Sequence, residues 1–139
     1  MSIQAVLAPL FVQVALTFAL LFWMGFARTG AVRRGDVHPR DVALRQPNWP
    51  DRITQIGNSY HNQFELPVLF YVLTILAWLT KQADFAFVLL AWVFVVLRLI
   101  HAYVHVTNNY VAHRFYVFLA GAIVLLVMWG VFAARILLV

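Results

Sequence analysis

The chain contains no cysteine. It therefore has no disulfide, no thiolate metal site and no thiol nucleophile of its own. Any sulfur chemistry must arrive with a bound substrate. Charge is also scarce. Asp, Glu, Lys and Arg make up 11% of the 139 residues, while 64% are hydrophobic. A typical soluble domain carries about 25% charged residues. With a mean hydropathy of +0.85, the composition excludes a water-soluble domain and implies an integral membrane protein. The net charge of +5 does not indicate a nucleic-acid partner. Six of the ten basic residues lie between Arg28 and Arg52, which reads as a membrane-flanking loop without a groove-binding pattern. The length leaves room for one domain, residues 1–139.

Long apolar runs supply the architecture. Four transmembrane helices are expected at about 3–27, 53–80, 85–106 and 111–138, with a loop at 28–52. The start, MSIQ, has no positively charged n-region, so the first run reads as a permanent helix, with no signal peptide. Gln13 and Thr17, four apart on it, read as packing contacts to another helix. In the loop, Gly30, Gly35, Pro39, Pro47 and Pro50 break regular structure, with one short helical turn expected around Arg40 to Leu44. Its arginines place it on the cytoplasmic side, and Trp49 suits an interfacial anchor. Pro67 is expected to kink the second helix. The fold class is an all-α, four-helix transmembrane bundle.

One face of the second helix is too polar for a membrane segment. Asp51, Thr54, Gln55, Asn58, His61, Asn62 and Glu65 fall within a sector of roughly 120°. On the third helix, Arg98, His101, His105 and Asn108 fall within roughly 80°. Asn109, His113 and Arg114 follow at the same end of the bundle. Their convergence at one depth argues for a polar cavity.

Each residue has a bland reading beside the functional one. Glu65 either holds an ammonium or amide of a ligand, pairs with Arg98, or fixes packing through an interhelical bond. Asn62 both donates and accepts, so it suits a ligand amide or a backbone carbonyl; Asn58 and His61 are weaker versions of the same case. His101 and His105 have a spacing that can bind a metal. With no third ligand and no HExxH, they read as hydrogen-bonded neutral rings, and no metal is expected. Arg114 lies in the first turn of its helix, where the macrodipole already favours an anion. It suits a carboxylate, phosphate or thiolate, or else reaches for lipid phosphates.

Taken in order, these residues resemble the MAPEG family, the membrane-associated proteins in eicosanoid and glutathione metabolism. The family's Asn-x-x-Glu motif is matched by Asn62 and Glu65, with Pro67 following. The Arg-x-x-His motif of its prostaglandin E synthase branch is matched by Arg98 and His101. Thirteen residues later, at the position of that branch's thiol-activating arginine, stands Arg114. Arg28 is similar to the arginine ending the first helix. Where glutathione-using members carry two arginines, this chain has Asn58 and His61, and His105 stands at an expected tyrosine.

The resemblance implies a homotrimer with glutathione as co-substrate, bound between subunits on the cytoplasmic side. Arg114 would stabilise the thiolate. Arg28, Asn58, His61, Asn62, Glu65, Arg98, His101 and His105 form the candidate binding set. The expected function is a membrane-bound, glutathione-dependent transferase or peroxidase acting on lipophilic electrophiles from the bilayer. The alternative is a non-catalytic lipid- or amphiphile-binding or scaffold protein, since the family contains such a branch. The small size and absence of a targeting segment fit a bacterial inner membrane.

Overall fold

The computed structural model describes residues 1–138. It is all-helical: α1 (Ile3–Arg33), a 3-10 turn (Pro39–Asp41), α2 (Asp51–Asn62), α3 (Leu66–Leu79), α4 (Phe85–Val106) and α5 (Val111–Leu137). Helices α1, α4 and α5, together with the span formed by α2 and α3, are long and apolar enough to make four membrane crossings.

α1 continues six residues past the expected end at Ala27, and Gly30 does not break it. Its stop is a Schellman motif. Gly35, at φ +77°, occupies the left-handed position; its N–H donates to Val32 O and the Asp36 N–H to Ala31 O. At 31 residues α1 is about 46 Å long, so its arginine-bearing end projects beyond a ~30 Å hydrocarbon core. The short helical turn expected around Arg40 to Leu44 is a 3-10 turn that starts at Pro39, where the His38 ring accepts from the Arg40 N–H.

The path from Asp51 to Leu79 is broken, and the break precedes the proline. Gln63, Phe64 and Glu65 leave the helix, held by bonds from their N–H groups to carbonyls three residues earlier. A proline ring at 67 would collide with the Gln63 carbonyl if the helix ran through. The residue before a proline also disfavours helical backbone. The chain opens one turn upstream, and Pro67 sits comfortably in the first turn of α3.

α4 is the most buried of the four spans. Phe87, Val88, Ala91, Phe94, Val95, Arg98, His101, Ala102 and His105 form its inward stripe, at the i, i+3, i+4 spacing of one helical face. The lower part is an apolar core in which the Phe94 and Phe70 rings stack with centroids 4.8 Å apart. From Arg98 onward the same stripe becomes polar. The ends of α1 and α4 and the starts of α2 and α5 therefore meet around ionisable groups.

Candidate functional site

A cavity of about 480 Å³ opens at that end, within the usual size range for small-molecule pockets. The α2 side supplies Asn58, His61, Asn62 and Glu65; α4 supplies His101 and His105; α5 supplies Val111, Arg114, Phe115 and Phe118. Seven of the nine residues expected to form a site therefore line one hollow. Arg28 and Arg98 do not.

The break in the second span shapes this hollow. Asn58, His61 and Asn62 are still on α2, but Glu65 has left the helix and caps α3 with no hydrogen bond from its side chain. Its carboxylate is exposed and aimed at the cavity. The expected pairing of Glu65 with Arg98 is not formed: among the described residues no carboxylate lies within 4 Å of that guanidinium. Arg98 Nη2 is taken by Asn62 and Gln63, while Glu65 stays exposed.

Arg98 instead lies beneath the cavity, 2% exposed. Its Nη2 donates to Asn62 Oδ1 and to Gln63 Oε1 at 3.1 Å. Gln63 Oε1 also accepts from Gln13 Nε2 at 2.9 Å, and Gln63 Nε2 donates to Ser59 O. A polar chain thus ties α1, the helix break and α4 together. Gln63 was missed from sequence because it reads as a spacer in the Asn-x-x-Glu pattern; its partner Gln13 lies fifty positions away.

Arg28 stacks over Trp49 with its guanidinium carbon 5.0 Å from the ring centroid, and its Nη2 lies beside Gly57, next to the cavity-lining Asn58. Arg52 stacks over Trp23 at 5.3 Å. Both are cation–π contacts.

The α4–α5 turn places Arg114. Asn109 is left-handed at φ 50°, and the Asn108 side chain accepts from the Tyr110 N–H. α5 then starts so that Arg114 faces inward. Its Nη1 donates to Asn109 Oδ1 at 2.6 Å. Among the described residues no carboxylate pairs with it. Phe115 and Phe118 flank it as an apolar wall; the i+4 spacing of Phe118 was the available signal for this wall.

His101 and His105 pack edge to face with ring centroids 5.5 Å apart, and Nδ1 of each is buried without a partner. No three His, Cys, Asp or Glu side chains converge as a metal site among the described residues. Chemically, the hollow offers one guanidinium, one carboxylate, amide and imidazole groups, and an aromatic side.

A family model, described as the MAPEG family, matches residues 6–134. That is nearly the whole chain. The chain belongs to the MAPEG family. No curated protein and no solved structure matches it. MAPEG proteins include glutathione transferases and peroxidases as well as non-catalytic members. Family and helix pattern together make this a multi-pass integral membrane protein.

Proposed function

We propose that this MAPEG protein is a membrane-bound, glutathione-dependent transferase or peroxidase for lipophilic electrophiles. The supporting observation is Arg114: a half-buried guanidinium on a cavity wall, bonded only to a neutral amide. A thiolate beside it would be favoured over the thiol, because an opposite charge stabilises the ionised form. The sulfur lone pair then attacks the electrophilic carbon, and the bond to the leaving group breaks with its electron pair. Glu65 suits the ammonium of the tripeptide; Asn58, His61 and Asn62 suit its amides. Arg98 would act on this site through Asn62, and Arg28 would shape the loop above it. Phe115 and Phe118 offer the electrophile an apolar approach.

The assembly that goes with this reading is a homotrimer in a bacterial inner membrane, the arginine-rich loop facing the cytoplasm. Exposed Phe11, Phe18, Phe22 and Phe26 on α1 leave an apolar surface suited to lipid or to neighbouring subunits. The test is turnover of glutathione with a chlorodinitrobenzene-type electrophile by the purified protein. Arg114→Ala should abolish it. Intact turnover in that variant removes the assigned role.

One observation favours a second reading, a non-catalytic binder of lipids or amphiphiles. Glutathione brings two carboxylates, and the cavity carries a single guanidinium. Calorimetric titration separates the two: absence of heat and of thermal shift at millimolar glutathione supports the binder.

A further inference from the structure

The bundle end away from the cavity holds a hollow of about 230 Å³ between α4 and α5. Ala86, Phe87 and Leu90 of α4 face Met128, Val131 and Phe132 of α5 across it. Met128 is buried, whereas Ala86 and Val131, one on each wall, are exposed. Both exposed residues belong to membrane-crossing helices, so the hollow opens toward lipid. Met128, Val131, Phe132 and Arg135 keep the i, i+3, i+4, i+7 spacing of one helical face. Seven residues of helix put Met128 about 10 Å deeper than Arg135.

Charge is confined to the mouth. Asp84, which caps the start of α4, and Arg135, in the last turn of α5, stand there with Nη2 2.8 Å from Oδ2. No other charged side chain lines the hollow among the described residues. The pair therefore sits at the level of lipid head groups, above apolar walls that reach into the hydrocarbon. It is also only half used. A guanidinium has five N–H donors and a carboxylate about four acceptor positions. Arg135 spends one N–H on Asp84 and one on Gln82 O; Asp84 accepts from Arg135 and from the Phe87 N–H. Both side chains are partly exposed, so the remaining donors and acceptors are within reach of a ligand. A head group bearing both signs can dock on the pair without breaking it. A head group with a single negative charge meets the Asp84 carboxylate as well as the guanidinium, and is held less well.

We propose that this hollow is a site for a phospholipid whose head group carries both a phosphate and a primary ammonium. The phosphate accepts from Arg135, the ammonium donates to Asp84, and one acyl chain lies between the walls above Met128. Inside a bilayer such a chain has no hydrophobic advantage, since lipid tails are as apolar as the walls. What it gains is van der Waals contact with side chains that otherwise lack neighbours on one side. That gain is common to all lipids with the same chains, so discrimination falls to the head group. The site stands apart from the Arg114 cavity and does not depend on the thiol chemistry proposed there.

The test titrates the full chain, stripped of lipid in detergent, with phosphatidylethanolamine and with phosphatidylglycerol of identical acyl chains, and counts bound lipid by native mass spectrometry. Phosphatidylethanolamine should be held about fivefold more tightly, the upper range for a partly exposed charge pair. Asp84→Asn should bring the ratio to one or below; Asn still caps α4, so the variant folds. Ala86→Phe, at an exposed position on the wall, should fill the hollow and remove the preference as well. Equal retention of the two lipids by the parent protein means unselective boundary lipid and overturns the proposal. A preference that survives either variant places the lipid elsewhere and overturns it too. So does an Ala86→Phe protein that loses oligomeric mass while keeping its lipid preference, which would assign the hollow to a second copy of the chain.

Discussion

Arg98 on α4 and Asn62 at the end of α2 are joined through one nitrogen: Arg98 Nη2 donates to Asn62 Oδ1 at 2.5 Å and to Asn62 O at 3.4 Å. The two ends of this pair are not equivalent. Asn62 lines the cavity, where water can replace a lost partner. Arg98 is buried, with Nε and Nη1 already unpartnered. Asn62→Leu should therefore destabilise the protein by about 1.5–3 kcal/mol, the range for a hydrogen bond to a charged group. Arg98→Met should cost less, because a buried charge is replaced by an apolar chain of similar length. The double variant should be more stable than Asn62→Leu alone. Thermal unfolding in detergent measures all three, and strictly additive effects would show the pair to be uncoupled.

Arg114 makes a prediction about pH. If its guanidinium holds the thiol in the ionised form, its removal raises the thiol pKa. Arg114→Gln should move the rising limb of the pH–rate profile to higher pH and lower turnover at pH 7 by roughly 10²-fold, the scale of one lost electrostatic stabiliser. Part of the loss should return at alkaline pH, where the thiolate forms unaided. A profile that drops without moving would mean that Arg114 only positions the ligand.

Much of this arrangement is readable from the chain, and the unreadable parts have a common cause. The four apolar runs are long enough to identify without tertiary information. Helical periodicity alone puts Asn58, His61 and Asn62 on one face, and Arg98, His101 and His105 on another. What periodicity does not carry is a contact between distant segments. Arg28 stacks on Trp49, twenty-one positions away, a contact no spacing announces. Gln63 enters the polar network because Gln13 meets it. The break at Gln63–Glu65 was also hidden. A proline marks where a helix is disturbed, but whether the helix bends or opens depends on what can satisfy the freed carbonyls and side chains.

At the opposite end of the bundle, Asp84 caps α4 and pairs with Arg135 of α5, 2.8 Å apart. The Phe87 N–H on the carboxylate, and then Arg135, hold Asp84 below the usual carboxylate range. A depressed folded pKa stabilises above the unfolded value and is lost as pH falls through the folded one. Unfolding temperature should therefore be unaffected by Asp84 between pH 6 and 8, and its contribution should fade below about pH 4. Asp84→Asn keeps the cap and loses only an exposed pair, for at most about 1 kcal/mol. Asp84→Ala loses the cap too, for roughly 1–2 kcal/mol. The two variants should converge with the parent in acid; a gap that persists there would assign the effect to packing.

Gly57 is buried in α2 beside the α1 side chains Arg28 and Met24. A Cβ there would lie 3.0 Å from Arg28 Nη2 and 3.6 Å from Met24 Sδ. Both atoms are on flexible side chains, so a methyl group needs only a few tenths of an ångström from them. Against that stands the helix propensity of alanine over glycine, about 1 kcal/mol in a helix interior. Gly57→Ala should therefore unfold at or above the parent temperature. Gly57→Leu has no such outlet: its branch would push Arg28 off Trp49 and separate α1 from α2, at a cost of roughly 1–3 kcal/mol. If alanine proves as damaging as leucine, the Arg28 guanidinium is fixed in place, and its stacking on Trp49 is a rigid part of the helix contact that cannot yield to a neighbouring methyl.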